Sequence, residues 1–68
     1  MTIQLNGDPY ELAGPISIRA LLDILGIDPR RVAVEYNRAI VKRAQYDQTM
    51  IAGGAEVEIV AFVGGGAS

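Results

Sequence analysis

Glu56-Val57-Glu58-Ile59-Val60-Ala61-Phe62-Val63-Gly64-Gly65-Gly66 carries the strongest strand signal in the chain and runs straight into three glycines. Branched and aromatic side chains dominate its first eight positions, which suits a pleated, half-buried surface. Residues two apart share a strand face, so Val57, Ile59, Ala61 and Val63 fall on one side, with Glu56, Glu58, Val60 and Phe62 on the other. The two glutamates mark the second side as the one in water. That leaves Val60 and Phe62 as apolar groups near solvent, beside the glycines. Glycine has no Cβ to clash in a narrow channel, so the run reads either as a working tail or as an unstructured end.

Working outward, such a strand needs partners. Thr2 to Asn6 alternates, with Ile3 and Leu5 on one face. Asn6-Gly7 predicts a type I′ hairpin turn, because both of its central positions require positive φ. A second strand over 9–12 then returns along the first. Ala13, Gly14 and Pro15 interrupt it, and Ser17 stands where a helix N-cap belongs. Ile18, Leu21, Leu22 and Leu25 follow at helical spacing as one apolar stripe. Gly26 is placed for a left-handed C-cap with Ile27 folding back on it, and Asp28-Pro29 marks the stop. Val32–Tyr36 reads as a third strand, Asn37-Arg38 as a turn and Ala39–Val41 as a fourth strand. Lys42 to Met50 reads as a loop with one helical turn around 46–50, and Gly53-Gly54 punctuates before the last strand.

This order predicts an α+β roll, a mixed sheet of four to five strands packed on one helix. If the last strand pairs parallel with the first, the chain's two ends become central strands and the helix supplies the crossover. That is the β-grasp, or ubiquitin-like, arrangement. One domain over 1–63 and a flexible glycine-rich tail over 64–68 are the expected organisation.

Composition narrows the chemistry. The 68 residues are half apolar, enough for one small core. Cysteine is absent, which excludes a disulfide framework, a thiolate zinc site and a catalytic thiol. Histidine is absent too, which removes the commonest general base and metal ligand. Asp23, Asp28 and Asp47 lack metal-ligand spacing and read as surface or capping groups, so no metal is expected. Tyr10, Tyr36 and Tyr46 read as packing residues. The net charge is -2, and basic residues cluster only as the pairs Arg30-Arg31 and Lys42-Arg43, which argues against nucleic-acid binding. No apolar run is long enough to span a bilayer and the start does not resemble a signal peptide, so the cytoplasm is the expected compartment.

The opening Ile3-Gln4-Leu5-Asn6-Gly7, the block Arg31-Val32-Ala33-Val34-Glu35-Tyr36-Asn37, Ile40-Val41-Lys42-Arg43, and the closing Val57 to Gly66 together resemble the sulfur-carrier proteins, most closely the ThiS family of thiamin biosynthesis. The order, spacing and total length of these motifs are more specific than any one of them. The resemblance implies a carrier, not an enzyme. In that family an E1-like adenylyltransferase of the ThiF type spends ATP to adenylate the C-terminal glycine carboxylate, and sulfur from a donor protein replaces the AMP. The resulting thiocarboxylate gives its sulfur to a thiazole synthase of the ThiG type. No cofactor is bound by the carrier itself. A carboxylate is ionised at neutral pH and repels a sulfur nucleophile, so activation is needed first. Two or three extended glycines reach roughly 7 to 10 Å, enough to carry the carboxylate into a partner's site.

Family members finish on the glycine pair, whereas Ala67 and Ser68 follow here. Three readings stand: the two residues are trimmed, they are an appended remnant, or the carrier function is altered. Gly66 is the expected thiocarboxylate and adenylation site, with Gly65 as fallback. Val60, Phe62 and Gly64 are the expected partner-binding residues; the competing reading packs Phe62 under a neighbouring loop. Two rival functions use the same fold: the small subunit of molybdopterin synthase, and a ubiquitin-like modifier or interaction module.

Overall fold

The computed structural model describes residues 1–62. Five strands, β1 (Thr2–Leu5), β2 (Asp8–Glu11), β3 (Val32–Tyr36), β4 (Ala39–Val41) and β5 (Glu56–Ala61), form one sheet in the order β2-β1-β5-β3-β4. β1 and β5 run parallel, with Gln4 opposite Glu56 and Leu5 opposite Val57, and every other neighbouring pair is antiparallel. The single α-helix, α1 (Ile18–Leu25), supplies the crossover. This is the expected β-grasp roll.

Local chemistry accounts for each corner. Asn6 and Gly7 adopt φ of 51° and 86°, and Asn37 and Arg38 adopt 49° and 72°, so both hairpins turn with two consecutive positive-φ residues. Positive φ is unfavourable for arginine. Asn37 holds the second turn in place: its N–H donates to the Glu56 carbonyl at 2.7 Å, and its Oδ1 accepts from the Glu56 N–H at 2.9 Å. Ser17 caps α1 by accepting from the Ala20 N–H at 3.0 Å. Gly26 ends the helix at φ 72°, and the Ile27 N–H folds back to the Leu22 carbonyl at 2.9 Å. The apolar stripe of α1 then lies on the sheet, where Ile18, Leu21 and Leu22 are fully buried with Ile3, Val34, Ile51 and Val57.

Four boundaries differ from the sequence expectation. β2 occupies Asp8–Glu11 instead of 9–12, because a two-residue turn sets Asp8 directly opposite Leu5. Asp28 and Pro29 do more than stop the helix: Asp28 caps a 3₁₀ turn over Pro29–Arg31. The helical turn expected around 46–50 lies earlier, as a 3₁₀ turn over Arg43–Gln45. The segment after it serves α1 instead. Tyr46 is buried, and the Tyr46 and Thr49 carbonyls accept from the Arg19 and Ile18 N–H groups at 3.1 and 3.0 Å. These are first-turn donors that no residue within the helix can satisfy. Finally, the sheet pairing of β5 ends at Ala61, and the remainder of the expected strand at Val63 lies outside the described residues, as does the tail over 64–68.

Ser17→Ala is expected to lower the unfolding free energy by about 1 kcal/mol through loss of the cap. Leu21→Ala is expected to lower it by about 2–5 kcal/mol through a cavity between α1 and the sheet. Urea denaturation checks both, and a Ser17→Ala midpoint equal to that of the parent chain would contradict the capping role.

Candidate functional site

The site is built on the end of β5, the middle strand of the sheet, at the point where the glycine run begins. Val57 is fully buried under α1, whereas the alternate residues point away from the helix. Val60 and Phe62 are 56% and 58% exposed. Phe62 therefore does not pack under a loop, and the two apolar groups share one open face. The structure adds a third large apolar residue that the sequence reading passed over, Ile40, which is 76% exposed. It sits on the same face because the β3–β4 hairpin sets it opposite Glu35, which in turn lies opposite Glu58. The alternation of Ala39, Ile40 and Val41 carries that signal, but in a three-residue strand it is too short to show which side faces water.

Charge surrounds the patch on this face. A shallow groove of about 440 Å³ is lined by Gln4, Glu35, Arg38, Glu56, Glu58 and Val60. Arg38 Nε lies 3.2 Å from Glu56 Oε1. Glu35 and Glu58 face each other directly across β3 and β5, with no ion pair to either among the described residues. Like charges placed directly opposite in a sheet are mildly destabilising, so this rim carries negative potential that the domain itself does not neutralise.

A polar corner fixes where the chain leaves the sheet. The Phe62 N–H donates to the Arg31 carbonyl at 2.9 Å. Arg31 closes the 3₁₀ turn that Asp28 caps; Asp28 Oδ1 accepts from the Arg30 N–H at 2.9 Å. Arg30 also reaches the same carboxylate with Nη2 at 2.9 Å and Nε at 3.1 Å, and Arg31 Nε lies at 3.8 Å. The hydrogen bonds from the Arg30 guanidinium, then that from the Arg30 N–H, together with the charges of both arginines, hold the Asp28 carboxyl down at about 2. Arg30 and Arg31, both exposed, thus organise the turn beside the end of β5.

The tyrosines are structural. Tyr46 is buried, Tyr10 is half-buried, and Tyr36 Oη accepts from the Ala52 N–H at 3.0 Å. Among the described residues no group of three or more acidic side chains is placed to hold a metal ion, and no helix is long and apolar enough to cross a membrane. Gly64, Gly65 and Gly66 lie outside the described residues.

The ThiS family model matches residues 3–66, nearly the whole chain and all three glycines of the run. The chain belongs to the ThiS family. The crystal structure of a thiamine biosynthesis protein, ThiS, from Geobacter metallireducens superposes with a TM-score of 0.86 at 31% identity, covering 96% of this chain and 99% of that one. A thiazole synthase of Paramagnetospirillum magneticum is 42% identical over 66 residues, which is 97% of this chain but only 20% of that protein. The chain thus spans about a fifth of that thiazole synthase's length. Protein ycf40 of Porphyra purpurea is 35% identical over 97% of this chain and 93% of its own length. In this ThiS-family chain the described part of the site is the β5 face with its supporting corner.

The Asp28 corner makes a pH-dependent contribution. Its carboxyl titrates below the ordinary value of 3.8 when folded, so its stabilisation is complete above about pH 4 and is lost as pH falls towards about 2. Asp28→Asn is expected to unfold at lower temperature than the parent chain at pH 6, with the gap closing between pH 4 and pH 2. A gap that stays constant across that range would show that the charge of Asp28 does not matter.

Proposed function

We propose that this protein carries sulfur on its own main chain, as a protein substrate and not an enzyme. Hydrolysis of the Gly66–Ala67 peptide bond first frees the Gly66 carboxylate; an E1-like adenylyltransferase then activates it with ATP, sulfide-level sulfur from a donor protein displaces AMP, and the resulting thiocarboxylate supplies the sulfur of the thiamin thiazole ring in the cytoplasm. The observation that carries this reading is the family match, which runs through β5 and ends at Gly66. The chemistry agrees with it. Adenylation turns the carboxylate into an acyl-phosphate anhydride; the sulfur nucleophile attacks that carbonyl carbon, the C–S bond forms and the C–O bond to AMP breaks. No cysteine or histidine of the carrier is needed for either step.

Val60 and Phe62 provide the docking face for the activating enzyme and for the sulfur acceptor, with Gly64 passing through a channel too narrow for a side chain. Support comes from their exposure on one face immediately before the glycines. The carboxylates of Glu35 and Glu58 at the rim suit a partner that presents cationic groups around an apolar pocket. The sulfur acceptor is a thiazole synthase. A domain like this one occurs within the thiazole synthase of P. magneticum, which favours the thiamin branch over molybdopterin synthesis.

Two measurements test the proposal. A version of the chain ending at Gly66, incubated with ATP, its E1-like partner and a sulfur source, is expected to show the intact-mass change of one oxygen replaced by sulfur; a covalent conjugate with another protein would instead identify a modifier. Phe62→Ser is expected to slow adenylation about tenfold or more while the unfolding free energy from urea denaturation stays within about 0.5 kcal/mol of the parent chain. Unchanged adenylation would remove the β5 face from the docking surface.

A further inference from the structure

The ladder between β1 and β5 stops one rung short of the end of β5. The Gln4 N–H donates to the Ala55 carbonyl and the Asn6 N–H to the Val57 carbonyl, both at 2.9 Å. Beyond that the Asn6-Gly7 turn carries β1 away, while β5 continues to Ala61. The next β5 donor, the Ile59 N–H, is taken by the side chain, Asn6 Oδ1, at 2.7 Å. In the antiparallel ladder on the other edge, the Asn37 N–H bonds to the Glu56 carbonyl and the Phe62 N–H to the Arg31 carbonyl. That register turns the polar groups of Glu58 and Val60 toward β3 and those of Ile59 and Ala61 toward the side that β1 has vacated. The Ile59 carbonyl and the Ala61 N–H consequently have no main-chain partner among the described residues. In a parallel ladder, one residue of an adjoining strand satisfies both.

A groove of about 330 Å³ lies beside this open edge, on the helix side of the sheet. Leu5, Leu25, Ile27, Val32, Ile59 and Ala61 supply its apolar lining. Its position continues the row of inward side chains that Ile3 and Leu5 begin on β1. An extended segment laid on the free edge would therefore place every second side chain toward the groove.

We propose that this edge of β5 accepts an extended segment of the thiazole synthase as an added strand, hydrogen-bonded to the Ile59 carbonyl and the Ala61 N–H, with one aliphatic or aromatic side chain seated in the Leu5–Ile27–Ile59 groove. The unused rung specifies main chain as the occupant, and the apolar lining specifies the side chain. The choice of thiazole synthase rests on the carrier reading above. Docking through this edge uses the opposite side of β5 from Val60 and Phe62, so one strand can be gripped by its edge and by its outer face together.

Amide hydrogen exchange on the chain ending at Gly66, free and bound to its cognate thiazole synthase, tests the proposal. The Ala61 amide is expected to exchange freely in the isolated protein and to become protected in the complex. Ala61→Pro removes this donor and enlarges the side chain at this position of the groove. Its N–H faces the open edge, where proline is tolerated, so the β3 ladder keeps its bonds. The variant is expected to bind the synthase roughly 3- to 10-fold more weakly, the range expected for one net hydrogen bond. A stable complex in which the Ala61 amide still exchanges as in the free protein overturns the edge proposal and leaves the carrier reading standing. Protection that grows with concentration in the isolated protein, accompanied by a dimer in sedimentation, overturns it in favour of a second copy. Failure to form any complex with the synthase overturns the edge proposal and the choice of acceptor together, while the mass test of thiocarboxylate formation judges the carrier reading separately.

Discussion

The parallel pairing of β1 with β5 is the constraint on which the rest of the structure depends. Parallel neighbours cannot be joined by a hairpin, so the chain between them must cross over one face of the sheet. Here α1 lies on that face, and its buried stripe meets Ile3 and Val57 on the two paired strands. A short helix such as Ile18–Leu25 is marginal by itself, and its packing against this pair holds it. In return the helix covers strands that would otherwise expose their apolar sides. Neither half is stable without the other, which is why the core of so small a chain is one continuous cluster.

The same constraint determines where chemistry can be presented. Because the last strand lies between β1 and β3, its direction is fixed on both sides up to Glu58 and on one side beyond. Phe62, directly after it, lies at the middle of the sheet, its N–H held by the Arg31 carbonyl with the Asp28 corner behind it. A group delivered from this position has a rigid origin within a few residues. The carrier reading proposed above also accounts for a composition without cysteine or histidine, since on that reading nothing in the body of the domain has to act as base, nucleophile or metal ligand.

Much of this was legible in the sequence because the decisive signals are local. Asn6-Gly7, Ser17 and Gly26 each have one strongly favoured backbone role, and the stripe from Ile18 to Leu25 has one favoured face. The exposure of Val60 and Phe62 followed from Glu56 and Glu58, two residues apart on the same side. What escaped reading depends on tertiary partners. The turn near Tyr46 is set by free donors at the start of α1, which no pattern within 42–50 reveals. Ile40 joins the outer face through strand register, and Arg30 acquires its structural role only when Asp28 folds against it. The free rung on β5 arises from a difference in length between two strands distant in sequence, a property of the pairing and not of either segment.

Ending β1 at Leu5 while β5 runs on to Ala61 strands main-chain donors and acceptors on a central strand, where unsatisfied groups are costly if buried and invite foreign strands if open. The structure meets the first of these with a side chain, Asn6 Oδ1 on the Ile59 N–H, at a turn position where asparagine is already favoured for its positive φ. One residue thus reverses the chain and caps the first exposed donor. The next rung has no such cap, and it lies on the strand that leads to the glycines. An edge left open there, when the preceding donor is closed so economically, places the proposed recognition of extended main chain within three residues of Phe62.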